Sequence, residues 1–392
     1  MRTTSARSSS LREIPILGTP AALSSSKRTF FVACLILCVL SWSCVARSGG
    51  SSDTASAGTA QTASDARVPR YDHIFVIVEE NKNAQIIGGP DAPELTAFAK
   101  AYGQATSFYA ETHPSEPNYV ALVGGSTFGI FDDDAYYCKR GDKRPHCAGA
   151  WVPWYPDHTV TAPNLGTQLQ QAGRTWKNYN ESLPEPGSLA VVGADPKDPT
   201  GPLVYASKHS GFINFADVQN SPKRAQLLVD FAQLDDDVQS NTLPNFALII
   251  PNLCNDMHGA SRNVPEDCEG SNEAGLIRRG DAHAKSLVDE LMSTKTWRSS
   301  DRDAIVITFD EDDHHGKEGC CGIDKNDPTN SGGGRIPTIV ITNHGPRGVV
   351  DKTPYSHYSL LRTIEDAFGI REYLAHAGAP DVIPMSALFA QN

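Results

Sequence analysis

The chain predicts an α/β fold, a three-layer α/β/α sandwich around a mostly parallel central sheet. Three observations carry this. Short, nearly continuous apolar runs recur along the chain, as in strands covered on both faces. Helix-length stretches lie between them, the alternation that produces a parallel sheet flanked by helices. The runs also end in polar clusters, and ligands of such sheets bind beyond the carboxyl ends of the strands.

Taken in order, residues 73–78, HIFVIV, form the first apolar run and end at Glu79-Glu80-Asn81. A helix is expected over 93–102 and a strand-like run over 106–111. A small-residue helix over about 118–123 then leads to Gly124-Gly125. Residues 131–160 and 182–222 read as long loops over the site, with a helix at 164–171 between them. The second run, 245–250, ends at Pro251-Asn252, and a helix is expected over 281–292. The third run, 304–309, ends in four consecutive acids, Asp310 to Asp313. The fourth, 336–342, ends at Asn343-His344, and a last helix is expected over 358–368. No internal repeat is visible.

The 392 residues are 40% hydrophobic and 20% charged, a globular composition. A net charge of −12 argues against nucleic acid, which needs a basic face. It does not exclude phosphate substrates, because a bound cation inverts the local field. Residues 1–46 read as an export signal. Arg2, Arg7, Arg12, Lys27 and Arg28 precede the apolar stretch 29–42, and small residues follow it at Ser43 to Ala46. An uncleaved anchor is the rival reading, although 29–46 is borderline in length for a span. Residues 47–69, rich in Ser, Gly, Ala and Thr, read as a flexible tether leading to a catalytic domain over 70–392. No later segment is apolar enough to span a membrane, which excludes a multi-pass protein, and the leader makes the expected protein a secreted one. Six cysteines remain beyond the leader, an even number suited to disulfides outside the cytosol. Local pairing joins Cys138 to Cys147 and Cys254 to Cys268. Cys320 and Cys321 are adjacent, and neighbours bond each other only with strain.

Several clusters could carry chemistry. Glu80 and Asn81 offer a carboxylate beside an amide oxygen, ligands a hard cation accepts. Four acids from Asp310 onward repel one another unless a cation sits among them. His314 and His315, which follow, read as surface residues of a Gly-rich loop. Thr112-His113-Pro114-Ser115-Glu116-Pro117-Asn118-Tyr119 places Ser115 near a helix N-terminus, where backbone N–H groups favour an alkoxide and a phosphate. By spacing alone Ser115 and Asn118 could equally be helix caps. Asn252 to His258 gathers amide, carboxylate and imidazole, and His357 begins the last helix.

These residues resemble a family. EEN after the first strand, THPSEPNY, IPNLCNDMH, TFDEDD and YSHYSLLRTIEDAFG occur in the order found in the phosphoesterase family of the alkaline-phosphatase-like superfamily. The resemblance covers about residues 71–388. It implies an alkaline-phosphatase-like fold and a metal-assisted phosphatase, with Ser115 as nucleophile. Asn118 and His113 would contact the phosphate. Glu80, Asn81, Asp310 and Glu311 would bind a divalent metal ion, and Asn252 and Asp256 are candidate ligands of a second site. His258 or His357 would protonate the leaving oxygen. The implied substrate is a phosphomonoester, with a phosphoinositide lipid among the candidates, hydrolysed through a phosphoserine. The loop 131–160, with its own cysteine pair, and the long stretch 312–334 depart from the compact members. A phospholipase C-type phosphodiesterase is the alternative, and a non-catalytic binding protein the third class.

Overall fold

The computed structural model describes residues 67–300, 302–323, 327 and 329–390. The expected leader, and the tether as far as residue 66, lie outside the described residues.

The strands are β1 (His73–Glu79), β2 (Gly103–Tyr109), β3 (Trp176–Asn180), β4 (Val192–Ala194), β5 (Leu203–Ala206), β6 (Leu228–Val229), β7 (Phe246–Ile250), β8 (Asp303–Phe309), β9 (Arg335–Thr342), β10 (Val349–Asp351) and β11 (Tyr355–Ser356). The main sheet runs β10-β2-β9-β8-β1-β7-β3-β6, with β11 also on β2. Every neighbour pair in it is parallel except the two that β9 makes, with β2 and β8. The sheet is therefore mostly parallel, as expected. β7 and β8 are buried along their whole length and β1 along all but its first residue, so the centre of the sheet is covered on both faces.

The helices are α1 (Pro93–Ala101), α2 (Ser115–Gly124), α3 (Leu165–Gln171), α4 (Ala216–Gln219), α5 (Arg224–Leu227), α6 (Phe231–Ser240), α7 (Glu273–Ser293), α8 (Lys295–Ser299) and α9 (His357–Phe368). One group packs together from α2, α3 and α9, another from α1, α7 and α8. The buried Asp281 of α7 accepts the Glu94 and Leu95 amides at 3.0 and 2.8 Å and so caps α1. α9 starts with a capping box made by Ser356 and Ser359 and stops at Gly369 in the left-handed region. α2 stops at Gly125, φ 75°, where a side chain would run into the Leu374 carbonyl.

Three local expectations change. β3 is a central strand that the apolar pattern does not announce, because its sequence is WKNYN. Its polar groups are satisfied by distant residues: Tyr179 donates to Asp237 at 2.6 Å, Lys177 pairs with the same carboxylate, and Asn178 accepts from Ser210 at 2.7 Å. The helix expected over 281–292 begins eight residues earlier. Arg278 and Arg279 blur its start, and Gly280 lets the helix approach the Met257 side chain closely. Residues 182–222 are not a plain loop, since they carry the β4–β5 hairpin and a short helical turn at Ser207–His209. Disulfides join Cys138 to Cys147, Cys254 to Cys268 and the adjacent Cys320 to Cys321.

Candidate active site

The site lies at the carboxyl ends of β1, β7 and β8, three neighbours at the middle of the sheet. The register sets Val78 beside Thr308 and Glu79 beside Phe309, so the acids that follow each strand emerge side by side. Glu80, Asp256, Asp310 and Glu311 are all buried. Burial first, and then the neighbouring carboxylates, push Glu80 well above the usual carboxylate range and Glu311 up to about 8.

Ser115 is the first residue of α2, and its hydroxyl lies between two of these acids. It donates towards Glu80 Oε2 at 3.2 Å and Glu311 Oε1 at 3.3 Å. Each acid belongs to a separate ligating trio, Glu80 with His209 and His258, and Glu311 with His113 and His314. Within each trio the candidate ligand atoms lie within 4.8 Å of one another. The serine is the hinge between two cation-competent groups.

Several buried polar atoms here have no hydrogen-bond partner: Asn81 Oδ1, Asp310 Oδ2, Asp256 Oδ2 and His209 Nε2. Orphaned buried oxygens are rare and costly. Gathered with several carboxylates, they fit a divalent cation. Asn81 is held by its own backbone, whose N–H donates to Asp310 Oδ1 at 3.0 Å, in the left-handed region at φ 56°. The imidazoles also suit ligation. Burial and then the Lys208 ammonium push His258 down to about 4 and His209 well below the usual range. The His258 Nδ1 bonds the Gly259 carbonyl at 2.7 Å, which leaves Nε2 as the ring's other functional atom.

Sequence reasoning missed three groups. His209 sits in the turn Ser207–His209, far along the chain from every other ligand and inside a stretch read as loop. Lys208, beside it, donates to Asp133 at 2.7 Å and is held charged by Asp133, Glu80 and Asp310 despite its burial. Tyr119, one turn along α2 from Ser115, donates to Glu80 Oε1 at 2.6 Å. Its place in THPSEPNY was the available signal. His314 was read as a surface residue. It is 57% exposed yet stands 3.5 Å from Glu311 in the second trio, whereas His315 points outward.

Three expected site residues turn elsewhere. Asn118 is engaged within its own turn. Its carbonyl accepts the Glu111 and Thr112 amides, and its amide donates to the Thr112 and Pro114 carbonyls at 2.9 and 3.1 Å. The side chain is used up in fixing the turn that presents Ser115. His357 is fully engaged inside, Nδ1 with Glu111 and Nε2 with the Phe309 carbonyl at 2.8 Å, so it buttresses the end of β8 and offers no free nitrogen. Asn252 organises its own loop through Cys254, Asn255 and Ser182. Asp256, by contrast, does join the cluster, 3.4 Å from His209. His113 also lies at the site, paired with Glu311 and 2.9 Å from the Gly316 carbonyl. Burial opposes its charge, but Glu311 outweighs burial and pushes it up to about 9.

The Phosphoesterase family model matches residues 88–371. The chain belongs to the Phosphoesterase family. A phosphatidylinositol-3-phosphatase of Mycobacterium tuberculosis is 29% identical over 316 residues, 80% of this chain and 83% of that protein. A probable acid phosphatase of Kluyveromyces lactis is 25% identical over 84% of this chain, and an acid phosphatase of Aspergillus fumigatus is 27% identical over 68%. This phosphoesterase spans only 65% and 48% of the lengths of those two fungal proteins. A solved structure of a protein in the alkaline phosphatase superfamily from Vibrio parahaemolyticus superposes with a TM-score of 0.49 at 13% identity, over 82% of this chain and 71% of that one. With its family and its phosphatase relatives, this chain is a hydrolase of phosphoric ester bonds, a phosphatase.

Proposed function

We propose that this phosphoesterase is an exported acid phosphatase that hydrolyses phosphomonoesters through a phosphoserine formed on Ser115. The observation that carries the reading is the position of the Ser115 hydroxyl between Glu80 and Glu311. Glu80, Asn81, Asp310 and Glu311 would hold a divalent cation, with His209, His258, His113 and His314 flanking them. Such a cation, when bound, lowers the pKa of a nearby hydroxyl and neutralises charge on phosphoryl oxygens.

The residues then divide the work. Ser115 Oγ attacks phosphorus, its proton passing to a neighbouring carboxylate. The Oγ–P bond forms as the ester O–P bond breaks, and the alcohol leaves with the proton that the carboxylate took from Ser115. Lys208 and His113, both held as cations, balance the negative charge of the transferring group. His258, neutral with Nδ1 fixed on Gly259, would keep Nε2 for the cation beside Glu80 and His209. The carboxylate, once free of its proton, accepts one from the water that hydrolyses the phosphoserine and returns it to Ser115 as the Oγ–P bond breaks. Asn118 and His357, which the sequence also assigned to the phosphate and the leaving oxygen, take no part in these steps, because their polar atoms are engaged elsewhere.

Two finer points rest on other support. The mycobacterial relative's name makes a phosphoinositide headgroup a candidate substrate. Three disulfides and the basic-then-apolar leader favour export. The test compares p-nitrophenyl phosphate with bis-p-nitrophenyl phosphate, before and after chelation, for the wild type and Ser115→Ala. The expected result is chelator-sensitive monoester cleavage that falls on the order of 10⁴-fold or more in the variant while the fold persists. Normal turnover in a folded Ser115→Ala protein would overturn the nucleophile assignment. Preference for the diester would move the enzyme to phospholipase C-type chemistry.

A further inference from the structure

The largest exposed apolar side chains of the described residues are Trp151 and Trp154, 80% and 77% exposed. Both lie on the loop 131–160, which contains no helix or strand and carries the Cys138–Cys147 disulfide a few residues before them. Between them Val152 packs inward on a small cluster with Ala135, Cys138, Ala150 and Tyr155. The loop therefore has an apolar interior of its own and still presents two indoles outward. Folding does not require them there.

Residues 131–160 hold five acids against four basic residues, but the basic residues gather at the tip that bears the tryptophans. Residues 135–154 contain Lys139, Arg140, Lys143 and Arg144 against a single acid, Asp142, while the whole chain carries −12. All four basic side chains are exposed. Backbone and side-chain bonds set them beside the tryptophans. The Gly141 amide donates to the Ala150 carbonyl at 2.6 Å, and the Arg140 guanidinium donates to the Pro153 carbonyl at 3.1 Å. Asp142 is taken by Arg144, which also lies over the Tyr137 ring at 4.2 Å. Exposed indoles interleaved with Lys and Arg match the chemistry of an anionic lipid surface. Trp settles at the headgroup level, and each nearby Lys or Arg adds attraction to anionic lipid.

The loop is also fixed to the catalytic helix. Asp133 accepts the Glu116 amide at 3.0 Å, one residue from Ser115, and His158 lies 3.1 Å from the Glu116 carboxylate. A surface held by the tip of this loop would be held close to the site.

We propose that the disulfide-bearing loop 131–160 docks the enzyme on an anionic lipid bilayer through Trp151 and Trp154, with Lys139, Arg140 and Lys143 as the electrostatic contacts. The docking is a property of this loop and does not depend on the Ser115 chemistry.

The test mixes the full chain with vesicles of phosphatidylcholine plus phosphatidylserine, or of phosphatidylcholine alone, each with and without nitroxide-labelled lipid. It reads the emission difference between wild type and Trp151→Ser/Trp154→Ser. Trp176 and Trp297 are buried, and Trp42 is common to both proteins, so the difference isolates the two loop indoles. The expected result is a blue shift and nitroxide quenching of that difference on anionic vesicles. Lys139→Glu/Lys143→Glu is expected to weaken the binding that produces it roughly tenfold or more. Both variants should hydrolyse p-nitrophenyl phosphate like the wild type, which separates failure of docking from failure of the catalytic assignment. An unshifted, unquenched difference on anionic vesicles overturns the proposal, even if the protein is bound by another part of the chain. Equal quenching on neutral and anionic vesicles overturns its electrostatic half.

Discussion

Two acidic regions of this phosphoesterase use the same residue type in opposite ways. At the ends of β1 and β8, Glu80, Asp310 and Glu311 are buried together, and Asp310 Oδ2 has no hydrogen-bond partner. In the loop 131–160, Asp133 and Asp134 are fully answered. Asp134 accepts the Ala148 and Gly149 amides at 2.8 and 2.7 Å and the Tyr155 hydroxyl at 2.7 Å. Asp133 accepts the Glu116 amide and Lys208. The strand-end acids leave buried oxygens unpartnered and fit a cation, whereas Asp133 and Asp134 find partners for both their oxygens and only Asp132 Oδ2 of that loop run is left without one. What separates Asp133 and Asp134 from the strand-end acids is the partners that reach them, since each set stands among consecutive acids in the chain.

The contrast can be broken first at Asp310. Asp310→Asn should lower monoester hydrolysis by about 100-fold or more and weaken the response to added divalent cation. It should also raise the thermal midpoint of the chelated protein, because it removes one of several buried like charges. A chelated protein that loses stability in this variant would mean the carboxylate is structural, as in the loop.

Lys208 touches both regions and sharpens the comparison. Lys208→Met leaves Asp133 short of one partner and the carboxylate cluster without its ammonium. Activity against a soluble monoester should fall about tenfold. Unchanged steady-state kinetics would confine Lys208 to bracing the loop.

Asp134→Ala is the reverse test. It strips partners from two backbone amides and a buried tyrosine, so urea denaturation should show a loss of about 2 kcal/mol. Chelator sensitivity should not change. An altered metal response would dissolve the distinction between the two acidic regions.

The smallest effect is a pH slope. Burial alone would depress the His158 imidazolium, but Asp132 and Glu116 outweigh it and push the group up to about 10. A folded pKa above the unfolded value of about 6.5 gives stability that is complete below pH 6.5 and lost as pH rises through about 10. His158→Gln should flatten that part of the stability profile, read by denaturation across pH 6 to 10. A wild-type slope of the opposite sign would show that His158 is buried neutral.

The residues explain how far the sequence could be read. The strands β1, β7, β8 and β9 were legible because each is a nearly unbroken apolar run, and covering both faces demands that pattern. β3 was not, because WKNYN becomes a strand only once Asp237 and Ser210 arrive to satisfy it. The acids after β1 and β8 were legible from their place at strand ends, whereas Ser115 was singled out by the family motif, since by spacing alone it reads as part of a helix cap. Asn118 and His357 share that local setting, and their motif says nothing of where each side chain turns.

By itself, the sequence determined the strands β1, β7, β8 and β9, the cysteine pairs 138–147 and 254–268, and the acids at the ends of β1 and β8. These follow from periodicity and spacing, which are properties of neighbours along the chain. Tertiary structure alone decided that His209 and Lys208 reach the site from residues 207–209, and that His357 faces Glu111. It also decided which acids, such as Asp134, find partners for both oxygens and which, such as Asp310, keep an orphaned one. The reason is physical: a buried polar group's role is set by the partners that reach it, and those here come from residues tens to hundreds of positions away.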